Sequence, residues 1–229
     1  MKKIILPGIT TSKMSDWKNK IKKLDKFRIK QISIFPTYLP YEEREEMYFL
    51  LEKTDIEKIH LFHLRHDMDG EEISYLDNTF KIDCFNIHPS NGKYPGNHSG
   101  LKKYKNKIFI ENLENIPEEH ELSDCGGLCI DFSHWDSYKR VYPENYFNFS
   151  NMAKKFKVGC CHVSGIYQNI HYKHGKDRPA YEFHSINHLS QLDYLEKYKN
   201  YLPEIISLEI DNSLDEQMSA IGHLRRIIS

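Results

Sequence analysis

Eight short runs of apolar and β-branched residues recur along the chain, at residues 3–9, 31–36, 58–64, 84–88, 107–111, 128–131, 158–162 and 205–209. Each has the length of a strand, and several are almost continuously apolar, as expected when both faces of a parallel sheet are buried. Helix-like stretches lie between them, at 15–27, 41–53, 70–76, 143–156, 186–198 and 213–228. Such alternation implies a parallel sheet, and eight repeats imply closure into a (β/α)8 TIM barrel of the α/β class. The connections at 89–106 and 112–126 have space only for short or degenerate helices. An open doubly wound sheet is the alternative, but Pro7-Gly8-Ile9-Thr10 after the first run is not a glycine-rich dinucleotide fingerprint.

The 229 residues suit one barrel domain spanning 1–229, and 39% hydrophobic residues suffice for its core without disulfides. A formal charge of -1 gives no global attraction to nucleic acid. Lys18, Lys20, Lys22, Lys23, Lys26 and Lys30 read as a solvated helix face. The five cysteines are odd in number and lack a zinc-finger spacing, which suggests a reducing compartment; Cys84, Cys129, Cys160 and Cys161 fall inside strands and read as small hydrophobes. With no signal-like opening and no membrane-length apolar stretch, the expectation is a cytoplasmic protein with no membrane partner.

Metal-binding groups stand where several apolar runs end. Glu111 closes the fifth run, Asp131 the sixth with His134 three residues on, His162 the seventh and Glu209 the eighth. In a parallel barrel those ends share one face, where catalytic groups are housed. His88 ends the fourth run and His66 follows the third, with His63 as a rival inward residue. Glu182 and His184, two apart, would point the same way in an extended segment. These nine nitrogen and oxygen ligands include no thiolate, which suits zinc, manganese or iron and exceeds what one ion needs.

The strand-end motifs Leu64-Arg65-His66-Asp67, Phe85-Asn86-Ile87-His88-Pro89, Ile110-Glu111-Asn112, Cys129-Ile130-Asp131-Phe132-Ser133-His134, His162-Val163 and Leu208-Glu209 resemble those of the xylose isomerase-like TIM-barrel superfamily, most of all the endonuclease IV family of apurinic-site nucleases. The resemblance runs from the third strand onward. It implies up to three ions, usually zinc, held by His66, His88, Glu111, Asp131, His134, His162, Glu182, His184 and Glu209. Where the family carries an Asp-x-His pair, this chain has Glu182-Phe183-His184, with Asp177-Arg178 as a rival alignment.

Clustered divalent ions suit hydrolysis of a phosphoester, in a small molecule or in nucleic acid, with Glu111 bridging ions or orienting water. A sugar or sugar-phosphate isomerase or epimerase is the alternative. It would use one ion on Glu111, Asp131, His162 and Glu209, with Glu111 and Glu209 as catalytic acid and base. A multinuclear iron oxidase and a non-enzymatic metal-binding barrel remain further readings. Tyr38, Trp135, Tyr138 and Tyr167 follow strands and could stack on a base or sugar ring, or cover the barrel mouth.

Overall fold

The computed structural model describes residues 3–91, 101–113, 115–173 and 178–229. Its strands are β1 (Ile4–Leu6), β2 (Gly8–Thr10), β3 (Gln31–Phe35), β4 (Lys58–His63), β5 (Cys84–Ile87), β6 (Ile108–Glu111), β7 (Gly127–Asp131), β8 (Val158–Val163), β9 (Gly165–Lys173), β10 (Arg178–Phe183) and β11 (Ile205–Leu208). The helices are α1 (Trp17–Lys23), α2 (Tyr41–Glu52), α3 (Gly70–Phe80), α4 (Glu119–Ser123), α5 (Phe132–Val141), α6 (Pro143–Lys155) and α7 (Leu214–Ile227). Two 3₁₀ segments, Lys102–Lys107 and Leu189–Tyr201, complete the set.

Nine strands form one parallel sheet in the order β1-β11-β8-β7-β6-β5-β4-β3-β2. Only Pro7 separates its two ends, so the ladder closes on itself. Proline offers no N–H to a ladder, and the first strand accordingly breaks into a half that pairs with β11 and a half that pairs with β3. With those halves counted as one strand, the sheet is an eight-stave TIM-barrel-like fold.

The closing seam leaves no space for a side chain at the first position of β2. A Cβ on Gly8 would lie 1.9 Å from the Leu208 carbonyl oxygen. Gln217, fully buried on α7, satisfies the backbone there: its Oε1 accepts from Gly8 N at 2.8 Å, and its Nε2 donates to the carbonyls of Gly8 (3.0 Å), Asn212 (3.1 Å) and Ile210 (3.2 Å).

Alternation along the strands separates two apolar layers. Ile34, Phe62, Ile87, Ile110, Ile130, Val163 and Leu208 join the helices in the large outer core, while Phe35, Leu61, Cys84, Phe109, Cys129 and Cys160 form a separate floor inside the barrel. Arg44 of α2 and Glu72 of α3, both buried, make a bidentate pair at 2.7 and 2.8 Å that ties those helices together.

Some connections differ from the sequence expectation. The region after Asp131, outside the helix-like stretches of the sequence, is helix α5, because Phe132, Trp135 and Tyr138 all have a core to enter. Trp135 stacks on Phe132 and meets Phe149, Tyr198 and Tyr201, so neither it nor Tyr138 is free to hold a ligand ring at the mouth. Between β8 and the 3₁₀ segment that follows, β9 and β10 pair antiparallel and pack on α5. The helix expected at 186–198 is the 3₁₀ segment Leu189–Tyr201. No helix among the described residues is long and apolar enough to cross a membrane.

Replacing Gln217 with Ala strands the Gly8 backbone groups at the seam and should lower unfolding free energy by about 1–3 kcal/mol. An unchanged denaturant midpoint would show that the seam does not depend on this side chain.

Candidate metal centre

Two residues beyond each of five floor positions comes a polar side chain. Leu61 leads to His63, Cys84 to Asn86, Phe109 to Glu111, Cys129 to Asp131 and Cys160 to His162. A strand repeats its facing every second residue, so these five side chains form the next inward layer, at the C-terminal ends of their strands. All five are buried, and Glu209, just beyond β11, joins them at 7% exposure.

Among the described residues, two sets of ligand atoms lie within 4.8 Å of one another: His63, His88 and Glu111, and Glu111, Asp131, His162 and Glu209. Glu111 belongs to both. Its Oε2 is 3.1 Å from His63 Nε2 and 3.6 Å from His162 Nδ1, and it accepts from Asn86 Nδ2 at 2.7 Å. His63 Nδ1 lies 2.9 Å from the Leu64 carbonyl, a contact that requires the proton on Nδ1 and turns Nε2 inward. That Nε2 is 3.2 Å from His88 Nε2. His162 Nδ1 approaches Glu209 Oε2 at 3.2 Å, and the edge of Phe35 packs on the His162 ring at 4.9 Å.

Asp131 divides its two oxygens between fold and site. Oδ1 caps α5, accepting from Ser133 N (2.8 Å), Ser133 Oγ (2.5 Å) and His134 N (3.0 Å). Oδ2 faces the cluster, 3.5 Å from His134 Nε2. Asn112 clamps the backbone of the same residue, accepting from Asp131 N at 2.8 Å and donating to Asp131 O at 3.0 Å. His134 reaches Glu182 Oε1 through Nδ1 at 3.3 Å, and half-buried His184 lies 3.7 Å from Glu209 Oε1.

Buried polar atoms without a hydrogen bond are rare in folded proteins. Among the described residues, Asn86 Oδ1, Asp131 Oδ2 and His162 Nε2 have none, and His162 Nδ1 and Glu209 Oε2 face each other at 3.2 Å outside hydrogen-bond geometry. Burial works against charge on Glu111, yet His162 and His63 hold its carboxyl well below the usual range. Burial also works against charge on His162, yet Glu111 and Glu209 raise its imidazole well above the usual value. Glu209 is held at about 2 against its burial by His184 and His162. Orphaned oxygens, an inward-turned imidazole nitrogen and a thiolate-free set of carboxylates and imidazoles fit a divalent cation.

Of the residues singled out in the sequence, Glu111, Asp131, His162 and Glu209 converge, His88 meets them through Glu111, and His134, Glu182 and His184 border them. His66 does not join. The chain turns after β4, with Arg65 held by Asp67 and by the Thr37 carbonyl, and His66 is exposed on that turn. His63 holds the inward position instead. Asp177 lies outside the described residues. Asn86 stands in the motif at the end of β5 without a charge to mark it, yet counting in twos from Cys84 puts it in the polar layer.

No family model matches the chain, and no curated protein matches it in sequence. Among solved structures it is similar to a xylose isomerase-like TIM barrel protein from Mycobacterium smegmatis in complex with magnesium. The two share 10% identity over 98% of this chain and 97% of that one, with a TM-score of 0.49.

The divided role of Asp131 is separable by mutation. Asp131→Asn retains a capping oxygen and should keep the stability of the cation-free protein, whereas Asp131→Ala should lose about 1–2 kcal/mol. Thermal unfolding in the presence of a chelator measures this, and equal losses in the two variants would refute the division.

Proposed function

We propose that the chain is a metal-dependent hydrolase of phosphoesters that holds at least two divalent cations side by side. The observation that carries this reading is the membership of Glu111 in both ligand sets. His63, His88 and Glu111 would hold one cation; Glu111, Asp131, His162 and Glu209 would hold the other. Imidazole and carboxylate together favour zinc, with manganese or iron as substitutes. Adjacent cations of this kind stabilise the attacking and leaving oxygens of an in-line displacement.

The chain's own residues support that task. Glu111 offers a buried carboxylate to both positions, and Asn112 and the α5 cap hold Asp131 in place. Phe35 walls the inner side of His162 and keeps water from it. His134, between Asp131 and Glu182, and His184, beside Glu209, extend the polar surface toward the mouth, in keeping with the resemblance to endonuclease IV. A one-cation sugar isomerase would need only the four-residue set, leaving the convergence of His63 and His88 on Glu111 without a task.

The test combines metal analysis with turnover. Protein purified without added metal should contain two or more ions per chain and cleave a phosphodiester. Glu111→Gln should abolish cleavage and lower the ion content. One ion per chain, with ketose isomerisation that is lost in the variant and no phosphoester cleavage, would reject the proposal in favour of an isomerase.

A further inference from the structure

Asn86 sits on β5, fully buried, in register with His63 on one side and Phe109 on the other. Its Nδ2 donates to Glu111 Oε2 at 2.7 Å, closer than either imidazole comes to that oxygen. The reverse amide orientation would set a carbonyl oxygen against a carboxylate oxygen, so the donor must face Glu111. The amide's other end, Oδ1, is buried and has no hydrogen-bond partner among the described residues. An asparagine that merely braced the scaffold would spend both ends on it, as Asn112 does on the Asp131 backbone. Asn86 gives its side-chain donor to a candidate ligand and gives the scaffold neither end.

We infer that Asn86 is a positioning residue that fixes Glu111 Oε2 between the two cation positions, and that the His63–His88–Glu111 position depends on it more than the other does. The asymmetry follows from ligand number. If the carboxylate turns away, the first position keeps two ligands, whereas the second keeps Asp131, His162 and Glu209. This inference rests on the two-cation reading above. It adds that an uncharged side chain outside both ligand sets decides whether two cations are held as a pair.

Asn86→Leu removes the amide at similar volume, and Asn86→Ala serves if leucine is not accommodated. Titration of the full chain with Mn²⁺, followed by electron paramagnetic resonance, reads both affinity and pairing, because two ions sharing a carboxylate oxygen are exchange-coupled. In the variant one ion should bind within about threefold of wild type, the other about 10–100-fold more weakly, and the coupled signal should vanish where wild type shows it. Equal weakening of both positions would mark a merely structural role and overturn the inference. Two coupled ions bound as in wild type would overturn it alone, leaving the two-cation reading intact. A wild-type chain that binds fewer than two ions would overturn both.

Discussion

The contact on which the site turns is the approach of three nitrogens to one buried oxygen, Glu111 Oε2: Asn86 at 2.7 Å, His63 at 3.1 Å and His162 at 3.6 Å. Ionised carboxylates away from water are costly unless compensated. Ligand atoms of Glu111, Asp131 and Glu209 lie within 4.8 Å of one another and of the His162 imidazole. Burial works against charge on each group, yet Glu111 and Glu209 raise the His162 imidazole, His162 and His63 hold Glu111 low, and His184 and His162 hold Glu209 low. The barrel holds this arrangement because its stability comes from elsewhere: the apolar floor beneath the site and the shell between strands and helices.

Closure of the sheet keeps those strand ends aimed at one point. A parallel barrel fixes its interior only if the first and last strands meet, and here they meet across a strand interrupted by Pro7. Gly8 allows the close approach to Leu208, and Gln217 supplies the partners that an interrupted ladder leaves wanting. Gln217 also reaches the carbonyls of Ile210 and Asn212, in the segment that follows Glu209. The seam and the last candidate ligand are therefore held by the same side chain.

Strands buried on both faces can be read in this sequence because carboxylates and lysines fall only at their ends, where they are conspicuous for the same reason. The limits of that reading are equally physical. His66 is drawn in by its motif, yet facing is decided by the strand's period, and counting from Leu61 selects His63. Asp131 reads as the end of a strand, and it is also the cap of a helix whose apolar face is Phe132, Trp135 and Tyr138. The hairpin of β9 and β10 was hidden because much of it is exposed, including Gln168, Asn169 and Tyr172, and gives no apolar alternation. Asn86 carries no charge and so draws no notice in a search for ligands, although its place in the period puts it among them.

Burial is graded across the site, and the gradient says how it is approached. Asp131 and His162, from neighbouring strands β7 and β8, are fully buried, and Glu111 from β6 nearly so. His88, beyond β5, and His184, beyond β10, are only half-buried. The deep groups are locked by packing and by hydrogen bonds to the scaffold, and the shallow ones stand where strands have given way to loops. The cluster is therefore nearest to solvent on the side of His88 and His184, and its carboxylates lie at the bottom. A carboxylate at that depth keeps its charge only through the nitrogens around it, so the burial of the site and its ring of imidazole and amide nitrogens belong together.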